Sequence, residues 1–352
     1  MDTIHKDVAN YYGQELQKSE DLKTNACCTL TAPPKHIREA LSLVADEVQA
    51  KYYGCGLTIP SAIEGLRILD LGSGSGRDCY IAAKLIGENG HVIGVDMTDE
   101  QLAVANKYLE YHREKFGYKT SNVEFIKGNI EKLDELQLEK GSFDLIISNC
   151  VINLATDKNK VLQDAYELLK PGGEMYFSDV YSDRRIPLHL QADKILWGEC
   201  LSGALYWNDF LRKAKKAGFT DPRVVDDKPI TIENPELELT VGDIKFYSVT
   251  YRLWKIDGLE TDCEDYGQAV AYRGGIPEDE IAFALDNHHY FPKGKIMTVC
   301  GNTYKMLHDT RFQPFFDFYG TWDTHYGIFE GCGGNSPFSD NSSSDCADGT
   351  CC

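Results

Sequence analysis

The chain has 352 residues, of which 42% are hydrophobic, a formal net charge of −19 at pH 7 and 12 cysteines. That apolar share supports a large core and argues against global disorder, while the acidic balance disfavours a general nucleic-acid or anionic-membrane partner, since both need a basic surface. No run of about 18 apolar residues reads as a membrane span. The start, Met1-Asp-Thr-Ile-His-Lys-Asp7, lacks the basic and apolar blocks of a signal peptide. These features imply a cytoplasmic address, where cysteines are mostly thiols, available to metals, catalysis or redox exchange.

Residues 1–65 read as helices with two cysteine-bearing loops. A polar helix is expected over Lys6–Leu22, with Tyr11 and Tyr12 on it, and a second over His36–Val48. Cys27 and Cys55 fall in Thr- and Gly-bordered loops, which suits lid segments. From residue 66 to 180 strands alternate with helices. Strands are predicted at Arg67–Leu71, His91–Met97, Val123–Lys127, Phe143–Asn149 and Glu174–Val180. Helices are predicted at Asp78–Ile86, Asp99–Phe116 and Lys158–Leu169, with Thr98 and Gln101 forming a capping box. This alternation predicts an α/β doubly wound, mostly parallel sheet.

Residues 181–256 open with a helical stretch, Leu188–Ala217, rich in large apolar side chains. Two β-like runs, Arg223–Ile232 and Lys245–Ile256, are placed to complete the sheet as antiparallel edge strands. Residues 257–330 read as a separate small α+β unit, with strands at Gln268–Tyr272 and Lys295–Cys300 and a short helix at Tyr304–His308. His288-His289 in this unit lacks metal-ligand spacing and is read as a surface loop. Residues 331–352 are Gly-, Ser- and Asp-rich and are expected to be disordered, with Cys346, Cys351 and Cys352 dispensable.

The chemistry concentrates in Arg67-Ile-Leu-Asp-Leu-Gly-Ser-Gly-Ser-Gly-Arg-Asp78, a strand, a turn on Gly72, Gly74 and Gly76, and a helix start. Such a turn lets backbone N–H groups approach a ligand closely. Arg77 stands where the third glycine of G-x-G-x-x-G belongs, which tilts the reading from dinucleotides to S-adenosylmethionine. Asp70 and Asp96 end the first two strands, where open α/β sheets bind ligands and an acid accepts ribose hydroxyls. Tyr53, Met97, the pair Asn129-Ile130 and Asn149 complete the expected cofactor set. Cys150 directly follows the fourth strand, at the edge that faces such a cofactor. Cys200 lies in the helical cover over that edge, whereas Cys79 on the first crossover helix is read as a small buried hydrophobe.

The sequence closely resembles the arsenite S-adenosylmethionine methyltransferases. The matching blocks are Asp21-Leu-Lys-Thr-Asn25 with Cys27, Arg38-Glu-Ala-Leu41, Tyr52-Tyr-Gly-Cys-Gly56, the glycine turn through Cys79, Ser148-Asn-Cys-Val-Ile-Asn-Leu154, Tyr176-Phe-Ser-Asp-Val-Tyr181 and Leu196-Trp-Gly-Glu-Cys-Leu201. The resemblance spans about residues 5 to 330 and implies a class I, Rossmann-like methyltransferase fold with a small C-terminal α+β domain. It implies that Cys27, Cys55, Cys150 and Cys200 are the functional thiols, although the doublet Cys27-Cys28 leaves the first open by one residue. Cys150 and Cys200, joined by Cys55, would bind trivalent arsenic, a soft acceptor that suits thiolates. The arsenic lone pair could then attack the sulfonium methyl, with S-adenosylhomocysteine as the second product. The family pattern pairs Cys27 with Cys55 for the redox step, with glutathione or thioredoxin as reductant. A monomer without nucleic-acid or membrane partners is expected. The alternatives are a methyltransferase for another small acceptor and a cysteine-based metalloid-sequestering protein.

Overall fold

In the computed structural model, residues 8, 10–12, 33–232 and 234–332 are described. The apolar runs of the first half become β1 (Arg67–Leu71), β2 (His91–Asp96), β3 (Val123–Lys127), β4 (Phe143–Asn149) and β5 (Leu169–Ser182). Around them lie α1 (Lys35–Leu41), α2 (Asp46–Ala50), α3 (Arg77–Ile86), α4 (Asp99–Lys107), α5 (Leu109–Phe116) and α6 (Lys158–Leu168). β6 (Leu205–Tyr206), β7 (Arg223–Ile230) and β8 (Phe246–Trp254) finish an eight-stranded sheet of order β3-β2-β1-β4-β5-β8-β7, with β6 beside β5. β1 to β6 pair in parallel, while β8 runs antiparallel to both β5 and β7. β1 and β4 are almost wholly buried, because helices cover both faces, which is why their sequences are continuous apolar runs. The strand order reverses between β1 and β4, so the crevice lies beyond their carboxyl ends.

Several expected elements are shorter or broken. The single helix expected over Asp99–Phe116 splits at Tyr108, whose hydroxyl is tied to Glu47 at 2.7 Å. The helix expected over His36–Val48 likewise divides into α1 and α2. Thr98 caps α4 without a side-chain bond to its helix, and the Gln101 amide donates instead to the Tyr12 carbonyl at 2.9 Å, so no capping box forms. The Leu188–Ala217 stretch becomes α7 (Leu188–Gln191), α8 (Lys194–Gly198), β6 and α9 (Trp207–Ala217). It breaks where Cys200 adopts φ +62° and where a side chain on Gly203 would meet the Asn153 carbonyl oxygen at 2.2 Å. α10 (Pro235–Val241) then precedes β8, and β5 starts earlier than expected because Gly172 and Gly173 pair with Lys255. Among the described residues no helix is long and apolar enough to cross a membrane.

The C-terminal unit holds β9 (Glu264–Asp265), β10 (Gln268–Tyr272), β11 (Ala282–Ala284), β12 (Tyr290–Pro292), β13 (Ile296–Val299), α11 (Gly301–His308), β14 (Phe316–Tyr319) and β15 (Gly327–Ile328). Its core is aromatic, built on Tyr272, Phe283, Phe291, Phe312 and Phe316. His289 is not a simple surface residue; its ring contacts the Asp286 carboxylate at 2.7 Å. The unit docks on the sheet through Glu174 at the core of β5, which is 0% exposed and ion-paired to Arg252 at 2.5 Å and Arg311 at 2.6 Å. Arg252 also donates to the Leu285 carbonyl, and Arg311 to the Ser61 carbonyl. Cys346, Cys351 and Cys352 of the tail lie outside the described residues.

Removing one partner of a buried ion pair strands its counter-charges. Glu174→Ala is therefore expected to lower the free energy of unfolding in urea by about 3–5 kcal/mol. A loss below about 1 kcal/mol, the size of an exposed pair, would show that this cluster does not dock the unit.

Candidate active site

At the end of β1 the chain turns sharply. The N–H groups of Gly72 and Ser73 both donate to the Val95 carbonyl of β2, at 2.8 and 3.0 Å. Gly72 holds φ +76°, and a Cβ there would lie 2.4 Å from the Val151 side chain. Gly76 caps α3 with φ +88° and would strike the Phe125 ring at 2.6 Å. Only glycine fits at these two positions. Each oxygen of the Asp96 carboxylate takes a backbone N–H, from Gly74 at 2.9 Å and Thr98 at 2.8 Å. Asp96 thus braces the turn as well as ending β2, and burial raises its pKa.

A cleft of about 960 Å³ opens over this turn. Its walls bring together Tyr53, Asp70, Gly72, Gly74, Asp96, Met97, Asn129, Ile130 and Asn149 of the expected set, while Gly76 stands behind them as the cap of α3. Asp70 is 3% exposed and accepts the Cys79 thiol at 3.1 Å, so Cys79 is a hydrogen-bonded core residue. Burial, reinforced by Asp78, pushes the Asp70 carboxyl up to about 8. The Asn129 side-chain oxygen is engaged by the Glu131 N–H at 2.9 Å, which leaves its amide nitrogen for other partners.

Asn149 at the tip of β4 carries the densest network. Its side-chain oxygen accepts from the N–H groups of Cys55 at 2.9 Å and Gly56 at 3.2 Å. Its nitrogen donates to the Gly56 carbonyl, Asp78 and the Tyr52 hydroxyl, at 2.9, 2.9 and 2.7 Å. Tyr52 returns a bond to the Gly56 carbonyl at 3.0 Å, and the Arg77 guanidinium stacks 3.6 Å from its ring. The loop 52–56 is thereby clamped onto the carboxyl end of the sheet.

The clamp sets Cys55 against Cys150, and the two are joined in a disulfide with Cα atoms 5.8 Å apart. Cys27 is the partner expected for Cys55; the partner found is Cys150, because the Asn149 clamp holds the two side by side. Cys27 and Cys28 lie outside the described residues. Cys200, fully buried, donates its thiol to the Cys150 carbonyl at 3.4 Å. Cys150 lines the cleft, and Cys55 and Cys200 stand behind it in one apolar cluster. Cys150 and Cys200 both hold positive φ, +57° and +62°. For residues with a Cβ this costs about 1–2 kcal/mol each and persists only where the surroundings impose it.

Behind the thiols are ionisable groups that sequence reasoning did not single out. Lys158 is buried, donates to the Ala155 carbonyl at 2.7 Å and lies 5.4 Å from the Trp197 ring; burial lowers its pKa to about 8. Burial lifts Asp179 to about 7, although the Val180 and Asn153 N–H groups bond to it. Glu199, 0% exposed, accepts the Tyr11 hydroxyl at 2.6 Å. Arg77, Asp78, Gln101 and Val151 were also missed as site residues; their contacts are long-range, and a charged Glu199 inside an apolar run is the one signal that would have pointed to this region. Among the described residues no group of three His, Cys, Asp or Glu side chains is placed to hold a metal ion.

A doubly wound sheet with a positive-φ glycine turn, one buried acid and one half-buried acid at its switch point is the fold and site of an S-adenosylmethionine-dependent methyltransferase. The residues present fit that cofactor: the turn bares its backbone at Gly74, where an added Cβ would meet only the Gln101 side-chain oxygen at 4.0 Å, and the carboxyls of Asp70 and Asp96 suit a cationic sulfonium ligand. Residues 63–218 match a family model described as a methyltransferase domain, and residues 266–337 match the arsenite methyltransferase C-terminal domain. The chain is 57% identical over 349 residues to an arsenite methyltransferase of Aquipseudomonas alcaligenes, covering 99% of this chain and 100% of that one. It is 52% identical over 312 residues to an arsenite methyltransferase of Homo sapiens, covering 88% and 82%. A crystallised arsenic(III) S-adenosylmethionine methyltransferase of Chlamydomonas reinhardtii superposes with a TM-score of 0.82 at 54% identity, covering 85% of this chain and 100% of that one. The chain belongs to the arsenite methyltransferase family.

A ligand that brings positive charge beside Asp70 must expel the proton that its raised pKa retains at neutral pH. S-adenosylmethionine binding is expected to release protons near neutral pH and to tighten as the pH rises toward about 8. Both effects should shrink in Asp70→Asn. Calorimetry in buffers of different ionisation heat reads the proton count, and a pH-independent affinity with none released would exclude this coupling.

Proposed function

We propose that this chain methylates trivalent arsenic held by the thiolates of Cys55, Cys150 and Cys200, giving mono- and dimethylated arsenic. The observation that carries the reading is the convergence of these three cysteines, from three separate segments, behind one wall of the cofactor cleft. S-adenosylmethionine supplies an electrophilic methyl group when bound, leaving S-adenosylhomocysteine. Tyr53, Asp70, Gly72, Gly74, Gly76, Asp96, Met97, Asn129, Ile130 and Asn149 are assigned to holding it.

The thiols do the rest. Binding arsenite replaces its hydroxyl groups with sulfur and releases water, each thiol giving up its proton. A soft trivalent centre prefers sulfur to the oxygen and nitrogen ligands nearby. Three thiolates leave arsenic its lone pair, so no general base is required, and the burial of the cluster keeps water from competing. The protein contributes alignment of acceptor and donor. Methyl transfer formally oxidises arsenic; two electrons from a pair of thiols return it to the trivalent state as those thiols become a disulfide. Among the described residues Cys55 and Cys150 are the pair already in contact, and their disulfide is assigned as the oxidised product of that step. Glutathione or thioredoxin is the proposed reductant; it gives two electrons and two protons to restore both thiols and leaves oxidised itself.

The test is mass spectrometry of products from As(III), S-adenosylmethionine and a thiol reductant. Cys150→Ser is expected to lose both methylation steps, and wild-type turnover in that variant would remove Cys150 from the mechanism. A monomethylated trivalent substrate needs only two thiolates. Cys55→Ser should therefore spare its methylation better than that of arsenite, and equal loss on both substrates would refute this division.

A further inference from the structure

A second group of thiols lies in the C-terminal unit, away from the cleft. Cys300 caps the N-terminus of α11: its sulfur accepts the Thr303 N–H at 3.5 Å and lies 3.3 Å from the Thr303 hydroxyl. The Arg223 guanidinium donates to it at 3.9 Å and is itself held by Asp221 at 2.6 Å and Asp286 at 3.2 Å. Cys263 is the neighbouring thiol of Cys300 and has Cys332 beside it in turn. The ladder of β9 with β15 produces this meeting, since Phe329 donates to the Cys263 carbonyl and Cys332 to Phe329. Burial grades outward: Cys300 is buried, Cys263 half-buried and Cys332 exposed.

A buried cysteine that serves only as packing needs no counter-charge. Here a guanidinium, a hydroxyl, an N–H at a helix start and a neighbouring thiol converge on one sulfur. The neighbouring Cys263 thiol and the Arg223 charge lower the Cys300 thiol below the usual thiol range against its burial, while the same neighbour and burial raise Cys263. Ionisation of one thiol next to a neutral second one suits an acceptor that takes two sulfurs. A metal ion fits poorly, because among the described residues no three His, Cys, Asp or Glu side chains are placed to hold one.

We propose that Cys263 and Cys300 form a second arsenical site, a dithiol that binds trivalent arsenic carrying one non-protein carbon substituent, with Cys332 as the surface thiol through which it is reached. The choice of arsenic rests on the family's activity, whose first methylation yields such a species. Binding is a ligand exchange without redox change. R–As(OH)2, the Cys300 thiolate, the Cys263 thiol and one proton give R–As bonded to both sulfurs and two waters. Arsenic stays trivalent throughout.

The probe is phenylarsine oxide in excess, with bound groups counted by native mass spectrometry on the reduced full chain. Cys300→Ser is expected to bind one group fewer than wild type, with arsenite methylation unchanged, and Cys263→Ser should lose the same one. Full wild-type stoichiometry in either variant would overturn the site. A chain retaining only Cys79, Cys263, Cys300 and Cys332, its fold checked by circular dichroism, should bind one group, and binding none would also overturn it. Methylation assayed on the wild-type chain separates the two ideas: no methylation with one group lost in Cys300→Ser refutes the proposed function and leaves the dithiol standing.

Discussion

The Asn149 carboxamide accepts from two N–H groups of the 55–56 turn and donates to a carbonyl, a carboxylate and a tyrosine hydroxyl. Every one of these partners is distant in sequence, and all meet at the tip of β4. This hub supplements the Ser248 hydroxyl on the Cys55 carbonyl and the apolar seat of Cys55 in fastening the loop 52–56 over the sheet. With it, Cys55 is delivered beside Cys150, and Tyr52 and Arg77 stack to seal the same edge. A neutral amide suits this position because it both donates and accepts, where a carboxylate would only accept.

The cleft is assembled at a cost in electrostatics and backbone strain. Asp78 and Asp96 both raise the proton affinity of the buried Asp70, so the unliganded site resists full ionisation. Cys150 and Cys200 are held in left-handed backbone that L residues avoid. Such tension persists because the core beneath is close-packed on both faces of the sheet. It also sets the Cys200 thiol against the Cys150 carbonyl, next to the Cys55–Cys150 pair.

Charge burial serves a different purpose at the opposite end of β5. Glu174, Arg252 and Arg311 carry the attachment of the C-terminal unit, while Arg223 with Asp221 and Asp286 forms a second such join. The second join places a guanidinium against Cys300, so the element that fastens the unit also tunes its thiol.

The alternation of apolar strands with helices, the G-x-G-x-G turn, the acids after β1 and β2 and the cysteine after β4 were all legible in the amino-acid order, because each depends on local periodicity or on short spacing. The same signals placed most strands within a residue or two. What failed were features that tertiary contacts override: the capping box at Thr98 and the unbroken helices over 99–116 and 188–217. Gln101 was drawn to Tyr12 and Cys55 to Cys150 by partners 89 and 95 residues away. A single sequence names the thiols and acids but carries no distances between them. Which sulfur faces which, and which arginine lies against Cys300, follow from burial and hydrogen bonding that exist only once the chain has closed on itself.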